Sequence, residues 1–240
     1  MARFLGTVVG AAVLVAAGIG VANAAPIIGS SGGTFGSLSG CDNSGGNRDC
    51  RIVNTVANGA NTQAQWGSTS SYTNFVNPST LTAVDVNINA ATNSNDTVIA
   101  RLTWFNSATL GSETPDRFGL AWTLAIAFTT PVGGDTEVFN LTVTNPTNPP
   151  GDTIGGFTLA DLNNLSFNLA GITVSDLKYS VAGNNTSIVN GVWYNGEGKT
   201  ADLYITADFT AVSVPEPASL ALFGAGLLGL GLMRRRRKAA

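Results

Sequence analysis

Phe118, Leu120, Trp122, Leu124, Ile126 and Phe128 occupy every second position of one run, with Gly119, Ala121, Thr123, Ala125 and Ala127 between them. A period of two sends alternate side chains to opposite faces of a pleated strand and fits no helix. This chain must therefore build a strand with one bulky apolar face, and that face needs a core to lie against. The same period returns in Leu81/Ala83, Val84/Val86/Ile88, Phe139/Leu141/Val143, Leu165/Phe167/Leu169 and Ala201/Leu203/Ile205/Ala207/Phe209. Thr97 to Phe105 reads as a further strand. Turn-forming clusters divide these runs: Thr130 to Asp135, Asn145 to Asp152, and Gly183-Asn184-Asn185. Phe157 to Asn164 has room for a short helical turn, and no internal repeat is apparent. Strands at this spacing, with no sustained helical period, predict an all-β fold: an antiparallel β-sandwich, jelly-roll-like.

The two ends of the sequence follow other rules. Arg3 is followed by an apolar or small-residue run from Leu5 to Val21, and Ala22-Asn23-Ala24 offers small residues where a signal peptidase pocket requires them. Residues 1–24 are expected to be a signal peptide, cut before Ala25. At the other end Val214, Pro215, Glu216 and Pro217 form a stiff polar element, Ala218 to Met233 is apolar, and Arg234, Arg235, Arg236, Arg237 and Lys238 follow at once. Those five cations are expected to set topology by holding their end in the cytoplasm. The sixteen apolar residues span about 24 Å as a helix, short of a bilayer core of ~30 Å, and four glycines weaken them. One C-terminal transmembrane helix that serves as a transient anchor is the expectation.

The order of that tail — stiff triplet, short glycine-laced span, terminal arginine cluster — closely resembles the PEP-CTERM sorting signal of Gram-negative bacteria. The resemblance covers residues 213–240 and implies recognition by an exosortase, a membrane-embedded cysteine transpeptidase that cuts at or near the motif and passes the protein to the cell surface. Members of this group are tied to exopolysaccharide, biofilm or floc formation. A second resemblance lies upstream. Gln65-Trp66-Gly67, the run Arg101-Leu102-Thr103-Trp104-Phe105-Asn106 and the later Thr144-Asn145-Pro146 resemble, in that order, the choice-of-anchor K domain and the THxN group of PEP-CTERM proteins. Trp104 stands where that group has His, while Thr103 and Asn106 are kept. This likeness spans about residues 60–210 and implies a β-sandwich without established catalysis.

Charge and composition narrow the function classes. Residues 25–217 carry six cations against fifteen acids, near −9, which opposes binding to nucleic acid or anionic lipid. The chain has no His, so Ser-His-Asp and Cys-His catalysis and His-bound zinc are excluded. Cys41 and Cys50, the two cysteines, lie nine positions apart in Gly/Ser/Asn-rich sequence behind an export signal, and a disulfide is their expected state. Ser30 to Gly46 is Gly/Ser-rich and reads as a loose lead-in. Residues 25–60 are thus expected to be a lead-in with a disulfide loop, and residues 61–212 the sandwich.

Candidate ligand sites are few. Asp85-Val86-Asn87-Ile88-Asn89 has the acid spacing of a calcium loop, but Ala90 replaces the needed Gly and Asp96 the bidentate Glu, so a strand is expected. Asp135 and Glu137 remain as loose calcium ligands. Trp66, Trp104, Trp122 and Trp193 are candidates for sugar stacking or for core; Trp122 sits on the apolar face, and Trp193 with Tyr194, at a strand–turn boundary, is the better sugar contact. Glu113, Glu137 and Glu197 form no recognisable glycosidase pattern. No cofactor, no metal site and no enzymatic activity are expected. The expected function is that of an exported cell-surface or matrix protein, structural or adhesive in exopolysaccharide or biofilm. A carbohydrate-binding module for the host exopolysaccharide is the alternative, and a glycan-active hydrolase a third.

Overall fold

The computed structural model describes residues 26–41, 50–54, 62–67, 77–108, 117–146 and 151–212, with Gly224, Gly226 and Leu227 of the tail. The expected signal peptide, the motif Val214 to Pro217, the apolar span apart from those three helical residues, and the cations Arg234 to Lys238 lie outside the described residues. Among the described residues no helix is long and apolar enough to cross a membrane.

Among the described residues up to Val212 there are thirteen strands and one short helix. The first half holds β1 (Ile27–Ser39), β2 (Cys50–Val53), β3 (Gln63–Trp66), β4 (Ser79–Val84), β5 (Val86–Ala90) and β6 (Ser94–Asn106). The long hairpin β7 (Arg117–Thr130) and β8 (Val132–Thr144) follows, then β9 (Asp152–Gly155) and α1 (Leu159–Asn164). β10 (Ile172–Gly183), β11 (Thr186–Val189), β12 (Val192–Asn195) and β13 (Lys199–Ala211) complete it. Two antiparallel sheets result, ordered β11-β12-β9-β8-β7-β1-β5 and β10-β13-β6-β4-β3-β2. The all-β sandwich read from the alternation is what forms.

The strongest sequence signal becomes the strand that organises the core. Phe118, Leu120, Trp122, Leu124, Ile126 and Phe128 are all buried, and β8 matches them across the hairpin with Phe139, Leu141 and Val143. Facing them from the other sheet are Leu102 and Trp104 of β6 with Leu203, Ile205 and Phe209 of β13. Burial of this apolar area, at roughly 25 cal/mol per Å², is the main force holding the two sheets together.

Three local readings change. The Gly/Ser-rich segment is not a loose lead-in: Ile27–Ser39 is a strand between β7 and β5, so the sandwich begins at Ile27 rather than at residue 61. Glycine is required there for close approach, since a Cβ on Gly33 would overlap the Trp122 indole and press on Ala83. The Val84/Val86/Ile88 run is broken at Asp85, where the chain leaves the six-stranded sheet as β4 and enters the seven-stranded sheet as β5. Leu165/Phe167/Leu169 alternates in burial but joins no sheet. It closes one end of the sandwich, with Phe167 edge-on to Phe128 at 5.6 Å and Phe128 to Phe209 at 5.8 Å. The helical turn forms as expected, with Thr158 and Asp161 making a reciprocal capping box.

Strand directions place both borders of the sandwich together. Ile27 pairs with Ala90, Ser94 with Phe209, and the Ala211 amide donates to Asn93 Oδ1 at 3.0 Å. The sorting tail therefore leaves from the end where the sandwich begins. The opposite, far end carries Cys41, Cys50, Trp66, Asn106, Asp152 and Asn195.

Candidate functional site

The far end is built where short strands bring polar residues under the sheets. Asp152 opens β9 and Asn195 closes β12; they stand directly opposite each other, and each has 0% exposure. Cross-strand partners share a face, here the inner one. The Trp66 indole donates to Asp152 Oδ2 at 3.4 Å. Asn195 donates through Nδ2 to the carbonyls of Trp104 and Lys199, both at 3.1 Å. That pair of bonds fixes the amide, because a flipped Asn195 would set its oxygen against two carbonyl oxygens. Its Oδ1 is left buried with no hydrogen-bond partner.

Glu197 follows in the turn between β12 and β13. The turn is tied down by the Gly198 amide to the Asn106 carbonyl at 2.8 Å and the Lys199 amide to the Gly196 carbonyl at 3.3 Å. Asn106, at the end of β6, is fully buried; its Nδ2 donates to the Asn195 carbonyl at 2.8 Å and its Oδ1 accepts from Ser79 at 3.3 Å. Both Glu197 carboxylate oxygens are buried without a partner. The nearby Asn106 amide favours the Glu197 charge but forms no well-shaped bond to it, and burial raises the Glu197 pKa. Burial first, and then the Glu197 charge, push Asp152 up to about 8 against the pull of the Trp66 hydrogen bond.

A wall of aromatic rings backs this cluster. Trp66 and Trp104 lie 6.1 Å apart, Trp104 meets Trp193 edge-on at 5.1 Å, and Phe118 stands edge-on to Trp66 at 5.6 Å. The expected sugar contact at Trp193 is corrected by this packing. Its ring has 0% exposure and its Nε1 donates to Thr186 Oγ1 at 2.9 Å, so no face is free for a pyranose. Trp66, Trp104 and Trp122 are core as well, and Tyr194 is half-buried. Sequence showed Trp193 beside a turn but not the Trp104 face that covers it from the other sheet.

The cystine forms between Cys41 and Cys50, with Cα atoms 5.8 Å apart, and joins the end of β1 to the start of β2. The calcium-like stretch at Asp85 is strand β5 from Val86 onward, as expected. Asp135 and Glu137 serve another purpose. Asp135 accepts from the Ser166 amide at 2.6 Å and Glu137 from Asn164 at 3.3 Å, which pins the α1 segment to β8.

At the tail end Asp96, Asp176 and Asp208 bring carboxylate oxygens close together. Lys178 already supplies the cation, reaching Asp96 at 2.5 Å and Asp176 at 2.9 Å, while Asp208 accepts from the Asp96 amide at 2.7 Å. The hydrogen bonds that the Lys178 ammonium donates to these two acids hold its pKa above the ordinary value. An open cleft of about 500 Å³ lies between α1, β10 and β11, lined by Phe157, Leu159, Tyr179, Ile188 and Asn190. Half-buried Tyr179 donates to the Thr158 carbonyl at 3.2 Å, and burial raises its hydroxyl pKa.

The β-sandwich is followed in sequence by a separate tail segment. More particularly, residues 213–238 match the PEP-CTERM protein-sorting motif. The match begins two residues after β13 ends, so the sorting signal adjoins the folded domain. No curated protein matches the chain. The chain is an exported, exosortase-sorted protein of the cell surface or the extracellular space.

Proposed function

We propose that this is a non-enzymatic surface or matrix protein whose sandwich is the cargo of the sorting tail, with a structural or adhesive role in exopolysaccharide or biofilm. The observation that carries the reading is the junction. β13 runs to Ala211, the Val212 amide is bonded to the Gly171 carbonyl at 2.9 Å, and the sorting motif starts at residue 213. The folded unit delivered by the signal is therefore the sandwich itself. Signal peptidase removes residues 1–24, and the apolar tail holds the domain transiently at the inner membrane until exosortase acts. The resemblance to the choice-of-anchor K and THxN group fits this reading, with Asn106 of that run acting as a buried clamp on Asn195 and Ser79.

The absence of catalysis is supported by the acid pair. A general acid must come within hydrogen-bond reach of its substrate, and Asp152 has no exposed surface. The net negative charge supports a soluble module that does not engage nucleic acid.

A carbohydrate-binding module is the second reading, favoured by the cleft beside Tyr179. An aromatic flank with Lys178 and Asn190 at its rim suits a sugar ring and its hydroxyls. Pull-down of the protein on the host's exopolysaccharide tests both. Retention that Tyr179→Ala abolishes supports the carbohydrate-binding module. Retention that survives the substitution supports adhesion by another surface. Loss of the protein from the polysaccharide fraction altogether contradicts the matrix role.

A further inference from the structure

The six-stranded sheet gives one face to the core and the other to solvent. Burial alternates along its strands: Ala64, Leu81, Leu102 and Leu203 point inward, while Gln63, Thr82, Thr103 and Asp202 are half-buried on the outer face. Register sets those four outer residues in one row across β3, β4, β6 and β13, since Gln63 pairs with Thr82, Thr82 with Thr103, and Thr103 with Asp202. Neighbouring strands lie about 4.7–4.9 Å apart, so the row is roughly 14–15 Å long. A second outer row beside it runs Gln65, Thr80 and Phe105.

Side-chain hydrogen bonds join these residues into a strip. Arg51 Nε donates to Gln65 Oε1 at 2.8 Å, Gln65 Nε2 to Gln63 Oε1 at 2.6 Å, and Gln63 Nε2 to Thr82 Oγ1 at 2.9 Å. On the other side Thr103 donates to Asp202 Oδ1 at 2.6 Å, Arg101 Nη2 donates to both Asp202 oxygens at 3.0 Å, and the Tyr204 hydroxyl donates to Asp202 Oδ2 at 3.2 Å. The Arg101 guanidinium lies 5.8 Å from the centre of the Tyr204 ring. Groups held this way need little further ordering when a ligand arrives. Their hydrogen-bonding capacity is not used up. A primary amide has two N–H donors, and Gln63 and Gln65 each use one within the strip; Thr82 accepts there and keeps its hydroxyl proton. Phe105 is half-buried on the same outer face, and among the described residues no aromatic ring packs on it.

From this arrangement we propose that the outer face of the six-stranded sheet binds a neutral polysaccharide chain along the row from Gln63 to Asp202. The inference rests on the adhesive reading above and names the surface that performs it. Sugar hydroxyls both donate and accept, which the spare groups of Gln63, Gln65 and Thr82 answer, and the C–H face of a sugar ring suits Phe105. Charge selects among glycans. Arg101 and Asp202 cancel each other, leaving Arg51 as the one excess charge of the strip, while residues 25–217 carry six cations against fifteen acids, near −9. A polyanionic chain is therefore repelled by the domain as a whole, and a neutral one is not. The run from Arg101 to Asn106 then serves two purposes by alternation: Arg101, Thr103 and Phe105 face the ligand, and Leu102, Trp104 and Asn106 are buried.

Retention of the full chain on the host's exopolysaccharide, split by anion exchange into neutral and acidic fractions, tests the face. The neutral fraction should retain the parent, and retention should persist at high salt, because no ion pair carries it. Gln63→Ala with Gln65→Ala should weaken retention about tenfold or more through lost hydrogen bonds. Phe105→Ala, made separately, should weaken it about as much, and Tyr179→Ala, in the cleft beside α1, should leave it unchanged. Slowed amide exchange in β3 and β4 of the parent bound to the neutral fraction reads the same face without any substitution. Retention that survives both strip variants, or slowed exchange confined to β10 and β11, would overturn this face and leave the adhesive reading standing. Retention by the acidic fraction alone would overturn the neutral glycan. Retention by neither fraction would overturn the face and the adhesive reading together.

Discussion

The two ends of the sandwich solve the problem of closing a sheet pair in opposite ways. At the tail end, apolar rings from three separate segments, Phe128, Phe167 and Phe209, fill the gap, and the acids above them are matched by Lys178 and by backbone amides. At the far end the filling is tryptophan, and beside it lie the Glu197 carboxylate and the Asn195 amide oxygen, both buried without a hydrogen-bond partner. The lesson is one of burial. Exposed acids such as Asp96 and Asp176 need little from their partner, because water screens them. Asp152, with no exposure, shifts its protonation instead.

The largest effect should come from the apolar plug. Phe128→Ala removes a buried ring touching both Phe167 and Phe209 and is expected to cost about 3–5 kcal/mol, read as a lower denaturant midpoint. A loss no larger than that of a surface substitution would mean that the plug is dispensable and the ends are not so different. Next is the cystine at the far end. Cys41→Ala with Cys50→Ala should lower stability by roughly 2–3 kcal/mol, if the short loop acts by restricting the unfolded chain. Equal midpoints with and without reductant would contradict that.

The pH response sharpens the comparison further. The folded pKa of Asp152, about 8, lies above its ordinary value of 3.8, so the native state holds the proton more tightly than the unfolded chain. The stabilisation from protonated Asp152 is complete below about 4 and is lost as pH rises through about 8. The midpoint of the parent should fall across that window, and Asp152→Asn should flatten the fall. A parent profile that rises toward pH 8 would show that Asp152 is ionised in the folded protein. The smallest effect is at the tail end. Lys178→Ala opens an exposed ion pair, so the midpoint should barely move at physiological salt, with any change fading as salt is added.

What the sequence made legible follows from how local each signal is. The β7 alternation is written in consecutive residues and needs no partner to be read. β1 was not legible, because Gly29, Ser30, Gly32 and Gly33 are poor strand formers by propensity. The glycines are required there because Phe128 takes the space beside Gly29, Trp122 that beside Gly33 and the Asp85 carboxylate that beside Gly32. The break at Asp85 left no mark either, since the alternation runs through it while the chain changes sheets. At the candidate site, Asn195 and Glu197 are adjacent in sequence, but Asp152, Asn106 and Trp66 arrive from three other strands. The Glu197 that matched no glycosidase pattern gained meaning only from the cross-strand pair beside it. The cystine was readable because both cysteines, their spacing and the export context sit in one stretch of chain.

The central claim is that a complete sandwich ending at Val212 is delivered by a removable sorting tail, and intact mass tests it most directly. Protein recovered from the cell surface or medium should begin at Ala25 and lack the apolar span and the arginine cluster. Changing Pro215-Glu216-Pro217 to three alanines should leave full tails in the inner-membrane fraction, because each proline fixes its own φ and biases its predecessor toward an extended chain that a protease can hold. Replacing Arg234 to Arg237 with Lys should leave processing unchanged, since both residues count equally for topology. Surface protein that retains residues 218–240, or normal release of the triple-alanine chain, would contradict the account.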